Sequence, residues 1–106
     1  MRLADRTLYV GTDISERVNR SRFYDTGGGE VGGRVESPND LPGSSDLAQE
    51  AIYRAALCSA EEILWGLEAT NLFWWPLATF LTTHPELLAL GLRCYTFNPR
   101  QIKKFK

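Results

Sequence analysis

From Thr7 to Glu36 the chain alternates apolar and polar side chains with a period of two; beyond Ser45 it turns to helical spacing broken by short continuous apolar runs. That switch constrains the fold more than any single motif. A period of two is that of a strand with one buried face, and apolar residues three and four apart belong to a helix. Thr7–Asp13, TLYVGTD, reads as a strand in which Leu8 and Val10 alternate with Tyr9. Asn19–Asp25, NRSRFYD, is a second, followed by Gly27-Gly28-Gly29 with the freedom a hairpin turn needs. Glu30–Glu36, EVGGRVE, returns as a third, weakened by Gly32-Gly33. Three strands joined so closely predict an antiparallel meander.

Ser37–Ser45, SPNDLPGSS, has the composition of a loop. A helix is predicted over Asp46–Ala60, capped by Ser45, with Ala48, Ile52, Ala55 and Ala56 on its inner stripe. Ile63–Leu67, ILWGL, reads as a strand buried on both faces. A second helix falls within Asn71–Thr82, starting near Trp75 or distorted there by Pro76, with Phe73, Leu77, Phe80 and Leu81 inward. Glu86–Leu90 adds a helical turn ended by Gly91, and Leu92–Phe97, LRCYTF, a fifth strand. Asn98-Pro99 breaks that strand, and a further helix is expected to begin at Arg100. Strands separated by helices run parallel through right-handed crossovers. The expectation is an α/β fold with a mixed five-stranded sheet in the order βββ, α, β, α, short α, β.

Length and composition suit one soluble domain over 1–106, with 43% hydrophobic and 24% charged residues. The net charge of −1 excludes a global attraction for nucleic acid, so any such attraction must be local. Arg100, Lys103, Lys104 and Lys106 form one basic cluster; Arg17, Arg20 and Arg22 form another. Cys58 and Cys94 lack metal-binding spacing and read as reduced core residues. No segment has the length and apolar purity of a membrane span, and the N-terminus lacks a signal-peptide run, so a cytoplasmic location is expected.

Two carboxylates stand out: Asp13 in YVGTDIS and Glu68 in LWGLEAT each follow an apolar strand. If the first and fourth strands are neighbours, these acids face each other at the strand ends, where ligands collect in mixed α/β sheets. Hard oxygen donors of this kind suit Mg²⁺ or Mn²⁺. The same positions equally suit acids that merely cap strand-to-loop junctions, and the residues alone leave both readings open. Trp65 reads as core, whereas one of Trp74 and Trp75 must point away from the sheet and could stack on a base or meet a partner. His84, beside Pro85, reads as an exposed loop residue.

Three blocks in order, YVGTDIS, WGLEATNLFWWPLATFL and CYTFNPRQIKKFK, resemble the signatures of DEDD transposases of the insertion-sequence one-ten type. One departure is Asn71, where many relatives have Gly. The resemblance implies an RNase H-like, RuvC-like domain in which Asp13 and Glu68 are catalytic and the first two of four acids around Mg²⁺. It places the other two acids beyond Lys106, so that the chain is a truncated N-terminal fragment with metal held weakly and little activity alone. It implies DNA and a structured guide RNA as partners, Arg100, Lys103, Lys104 and Lys106 as nucleic-acid contacts, a nucleoid-associated location, and self-association or pairing with intact transposase. Two alternatives remain: a non-catalytic nucleic-acid or protein-interaction remnant of a mobile element, and a nucleotide-binding domain of the actin and sugar-kinase type. The latter shares the sheet order and an early Asp but wants a Gly-rich phosphate turn, which Ile14-Ser15-Glu16-Arg17 lacks.

Overall fold

Alternation in the first strand decides which way the sheet faces. In β1 (Thr7–Ile14), Leu8, Val10, Thr12 and Ile14 are buried and Tyr9, Gly11 and Asp13 are exposed. The same two-residue rhythm runs through β2 (Val18–Tyr24) and β4 (Glu62–Glu68). A computed structural model of the protein describes residues 6–68 and 72–97. Its remaining elements are β3 (Val35–Pro38), α1 (Leu41–Leu57), α2 (Trp74–Thr82), α3 (Pro85–Ala89) and β5 (Arg93–Phe97). The strands form one five-stranded sheet in the order β3-β2-β1-β4-β5. β2 is antiparallel to β1 and β3, whereas β4 is parallel to β1 and β5. The expected mixed α/β sheet is therefore present.

The buried side chains of the sheet lie on one face, under the helices. Leu8, Phe23, Ile63, Trp65 and Leu67 meet Leu47 and Ala51 of α1, Leu77 and Leu81 of α2, and Leu87 of α3. Burying each of the large side chains contributes roughly 1.5–3 kcal/mol. The expectation that β4 is covered on both faces fails for this reason: Ile63, Trp65 and Leu67 are buried, but Leu64, Gly66 and Glu68 are only half-buried. Within the core, the Trp65 indole N–H donates to Thr12 Oγ1 at 2.9 Å, and the Thr12 and Ser21 hydroxyls share a bond of 2.7 Å. This chain of three polar groups crosses β4, β1 and β2 just beneath the exposed face.

Several boundaries differ from the sequence reading. The third strand begins at Val35; Glu30 contributes only an isolated bridge to Tyr24, because Gly32 takes a left-handed conformation that no ladder accommodates. The supposed loop Ser37–Ser45 is mostly the start of α1. Asp40, not Ser45, is its N-cap, accepting from the Gly43 N–H at 2.7 Å, and Pro42 sits in the first turn where its missing N–H costs nothing. Gly43 is buried there because a side chain would run into the Pro38 carbonyl. The buried stripe of α1 includes Arg54, while Ala56 is exposed and Ile52 only partly covered. Pro76 likewise falls in the first turn of α2 and distorts nothing. His84 is half-buried rather than free, and its Nδ1 caps α3 by accepting from the Leu87 N–H at 3.4 Å. The helix expected from Arg100 lies outside the described residues.

Candidate functional site

Parallel pairing of β1 with β4 brings the two acids together. Asp13 and Glu68 are register partners, and Asp13 is also opposite Arg20 on β2. Residues paired in register share a face, so Arg20, Asp13 and Glu68 form one row at the carboxyl ends of the central strands. The next row is Arg22, Gly11, Gly66 and Tyr95. Each central strand thus carries the triplet Gly-x-acid: Gly11-Thr12-Asp13 and Gly66-Leu67-Glu68. Two adjacent glycines make a trough in the exposed face, and the acids stand along its rim. The cavity measures about 430 Å³, and its walls include Asp13, Glu68, Arg20, Arg22 and Arg34.

The electrostatics of this trough are mixed. Neighbouring strands lie about 4.8 Å apart. Two carboxylates roughly 5 Å apart repel by about 1 kcal/mol in water-like surroundings and about 3 kcal/mol at an effective dielectric of 20. Asp13 is exposed, so the lower figure applies to it more closely. Three guanidiniums face the pair. Arg20 Nε and Arg34 Nη2 both reach Glu36 Oε2, at 3.0 and 3.3 Å, and Arg22 Nη1 reaches Glu30 Oε2 at 3.0 Å. Three arginines therefore share two carboxylates, which leaves surplus positive charge facing Asp13 and Glu68.

The loop carrying Glu30 and Arg34 is fixed from below by Arg54. Its Nη1 donates to the carbonyls of Val31 and Gly33, at 2.9 and 2.6 Å, and its Nε donates to Glu50 at 2.9 Å. Its guanidinium carbon lies 4.4 Å from the Phe23 ring centroid. Gly32 has φ +77°, and a Cβ on it would come within 2.8 Å of that same carbon. Arg34 and Arg54 were not singled out by sequence reasoning. The Arg-Ser-Arg alternation on β2 placed Arg20 and Arg22 on one face, but nothing local marks Arg34 as their neighbour.

At the carboxyl edge, Asn39 binds three connections together. Its Nδ2 donates to the Ser15 carbonyl at 2.9 Å and to the Phe73 carbonyl at 3.2 Å. The Ser15 N–H is engaged by the Val18 carbonyl at 3.1 Å, which closes the β1–β2 turn tightly. Elsewhere, Trp75 is exposed and Trp74 half-buried, as one of the two had to be. Cys58 and Cys94 are free thiols, and burial pushes the Cys94 thiol from 9.0 up to about 11. Arg100, Lys103, Lys104, Lys106 and Asn71 lie outside the described residues. Among the described residues no group of three or more Asp, Glu, His or Cys side chains converges on a metal-sized site, so Asp13 and Glu68 stand as a pair. No helix there is long and apolar enough to cross a membrane.

No protein-family model matches the sequence, and no characterised protein matches it by sequence. The fold does have neighbours. It is similar to the Aquifex aeolicus PPX-GPPA enzyme, with a TM-score of 0.51 and 12% identity over 91% of this chain. A second structure of the Aquifex aeolicus Ppx/GppA family member matches with a TM-score of 0.50 and 11% identity over 91% of this chain. The chain spans 37% and 36% of the length of these two structures. At such identities the likeness is one of fold alone.

These neighbours overturn the transposase identification. The folds found are Ppx/GppA ones rather than RuvC-like transposase domains, and no transposase family model matches. DNA transposition, DNA and guide RNA as partners, self-association or pairing with intact transposase, and nucleoid association all rested on that identification and fall with it. The physical reason is that one strand order, with an acid ending each of two adjacent parallel strands, serves more than one fold class. Short motifs at those strand ends therefore do not discriminate between them.

Proposed function

We propose that this chain is a phosphate-ligand-binding domain of the actin and sugar-kinase type, in which Asp13 and Glu68 hold a divalent cation beside the bound phosphate. The observation that carries the reading is the register pairing of the two acids at the carboxyl ends of adjacent parallel strands, above a trough floored by glycine. The donor set fits a hard cation: two carboxylates, one exposed and one half-buried, leave room for water in the remaining coordination positions, as Mg²⁺ prefers. When bound, such a cation supplies neutralisation of the paired carboxylates and orientation of a phosphoryl oxygen. The chain's own residues do the rest. Asp13 and Glu68 set the position along the strand ends, Gly11 lets a ligand approach the backbone, and the Thr12–Ser21–Trp65 hydrogen bonds hold the three strands in register beneath.

Mn²⁺ titration, followed by paramagnetic broadening of amide resonances, tests the reading. Broadening is expected to centre on residues near Asp13 and Glu68, and Asp13→Asn or Glu68→Gln is expected to weaken Mn²⁺ affinity at least tenfold while the circular-dichroism spectrum is unchanged. Affinity and broadening that ignore both substitutions would remove the cation site.

A further inference from the structure

The trough has a second chemical side that the cation reading leaves unused. We propose that Arg20, Arg22 and Arg34 form an oxyanion subsite that grips a phosphoryl group with side-chain guanidiniums, replacing the backbone cradle that a glycine-rich turn would provide. The proposal rests on the reading of the trough as a phosphate-ligand site, and it is tested without any cation present.

Four observations converge. First, the β1–β2 turn cannot serve as the cradle. The segment Ser15-Glu16-Arg17 contains no glycine, none of its residues has a positive φ, and the Ser15 N–H already donates to Val18. Anion-binding nests need successive free amides in such conformations. Second, the arginines converge. Arg20 and Arg22 are two residues apart on β2 and so share a face at a spacing of roughly 7 Å, and Arg34 joins Arg20 on the same Glu36 oxygen. Third, their recorded ion pairs engage Arg20 through Nε, Arg22 through Nη1 and Arg34 through Nη2. A guanidinium carries five N–H donors in a planar fork, so further donors remain for a phosphate. Fourth, there is space. A methyl group on Gly11 would meet nothing within 4 Å, and the arginine side chains are about half exposed (44% for Arg20, 51% for Arg22 and Arg34). Arg54 is a positioning residue for this subsite, because its bond to the Gly33 carbonyl fixes the backbone just before Arg34.

The location beside Asp13 and Glu68 predicts a signature that few other arrangements share. Carboxylates repel an anion but attract a cation. Neutralising Asp13 is thus expected to tighten anion binding by several-fold in chelator, opposite to its effect on Mn²⁺.

The experiment is calorimetric titration of the whole chain with inorganic pyrophosphate and with adenosine diphosphate, in chelator. The Arg22→Ala/Arg34→Ala double variant is expected to lose at least tenfold in affinity, and Arg20→Lys several-fold, because a lysine keeps the charge but loses the fork. Arg93→Ala, which removes a guanidinium paired with Glu62 at the amino-terminal end of β4, outside the walls of the trough, is expected to leave binding unchanged. If the alanine variants unfold, Gly11→Leu fills the trough from a position where the backbone tolerates a side chain, and it too is expected to abolish binding. Tighter binding of adenosine diphosphate than of pyrophosphate assigns the phosphoryl group to a nucleotide. The reverse assigns it to a free phosphate chain, and both support the subsite. No binding by wild type or Asp13→Asn, or arginine variants that bind as wild type does, would overturn it. Failure of the cation reading is separable, since it shows only in the Mn²⁺ arm.

Discussion

Arg54 offers the most direct test of how the loop before β3 is held. Replacing it by alanine removes two hydrogen bonds from a charged donor to the Val31 and Gly33 carbonyls, the packing on Phe23, and the ion pair with Glu50. Hydrogen bonds to charged groups contribute about 1.5–3 kcal/mol each. Val31 is half-buried and Gly33 exposed, so both carbonyls can regain water and the lower figure applies. The cation–π contact adds about 0.5–2 kcal/mol, and the exposed-side ion pair at i, i+4 no more than about 0.5 kcal/mol. The expected loss is therefore about 3.5–5.5 kcal/mol, a large share of the roughly 5–15 kcal/mol that stabilises a domain. Urea unfolding measures it. The sharper readout is a double-mutant cycle with Gly32→Ala. Alanine at φ +77° carries about 1–2 kcal/mol of backbone strain in either background, but its Cβ meets the Arg54 guanidinium only when Arg54 is present. Gly32→Ala is expected to cost at least about 1 kcal/mol more in wild type than in Arg54→Ala. Additive losses, or a loss below about 1 kcal/mol for Arg54→Ala alone, would refute the reasoning.

Two further predictions concern the core. The Cys94 thiol holds its proton in the folded state up to about pH 11, against 9.0 for the ordinary group. Stability attributable to it is complete below pH 9 and falls as pH rises toward 11, because the unfolded chain ionises first. Iodoacetamide labelling of Cys94 at pH 8–9 is accordingly expected to be slow in the native protein and fast in urea; equal rates would contradict the burial. Trp65→Phe is expected to cost about 2–3 kcal/mol by urea unfolding, since it leaves the buried Thr12 and Ser21 hydroxyls without the indole donor and shrinks a fully buried side chain; a loss under about 0.5 kcal/mol would mean that hydrogen bond contributes little.

Legibility in the sequence followed the range of the interactions. Alternation in TLYVGTD and the apolar run ILWGL placed both central strands, and the rule for crossover connections made them parallel neighbours, which aligned Asp13 with Glu68. The start of α1 was misplaced because Asp40, Pro42 and Gly43 have loop composition. In context an Asp at N-cap, a Pro in the first turn and a Gly against the Pro38 carbonyl are helix-initiating features. Arg54 was illegible for a different reason. A buried arginine is paired over distances of 21 to 23 residues with carbonyls whose positions no local pattern reports. The mixed α/β sheet was legible, but the transposase identification was not sound: it rested on short blocks such as YVGTDIS and LWGLEAT at strand ends, and residues there report a strand-to-loop junction rather than the fold that surrounds it.

The two halves of the candidate site come from different kinds of strand pairing, and this bears on how it works. The carboxylates lie on β1 and β4, in the parallel and most deeply packed part of the sheet, where Leu8, Ile63, Trp65 and Leu67 are fully buried beneath them. The arginines lie on β2 and on the loop before β3, toward the edge, where support comes from Arg54 and from ion pairs exposed to water. Exposed ion pairs contribute about 0–1 kcal/mol each, so the arginine half can exchange Glu30 and Glu36 for a phosphate at little cost. The carboxylate half has no such freedom, because Asp13 and Glu68 are set by strand register. A rigid pair of acids beside a set of readily exchanged guanidiniums suits a ligand whose position is fixed at one end and gripped at the other, and the two ends report on it separately, through Mn²⁺ and through pyrophosphate.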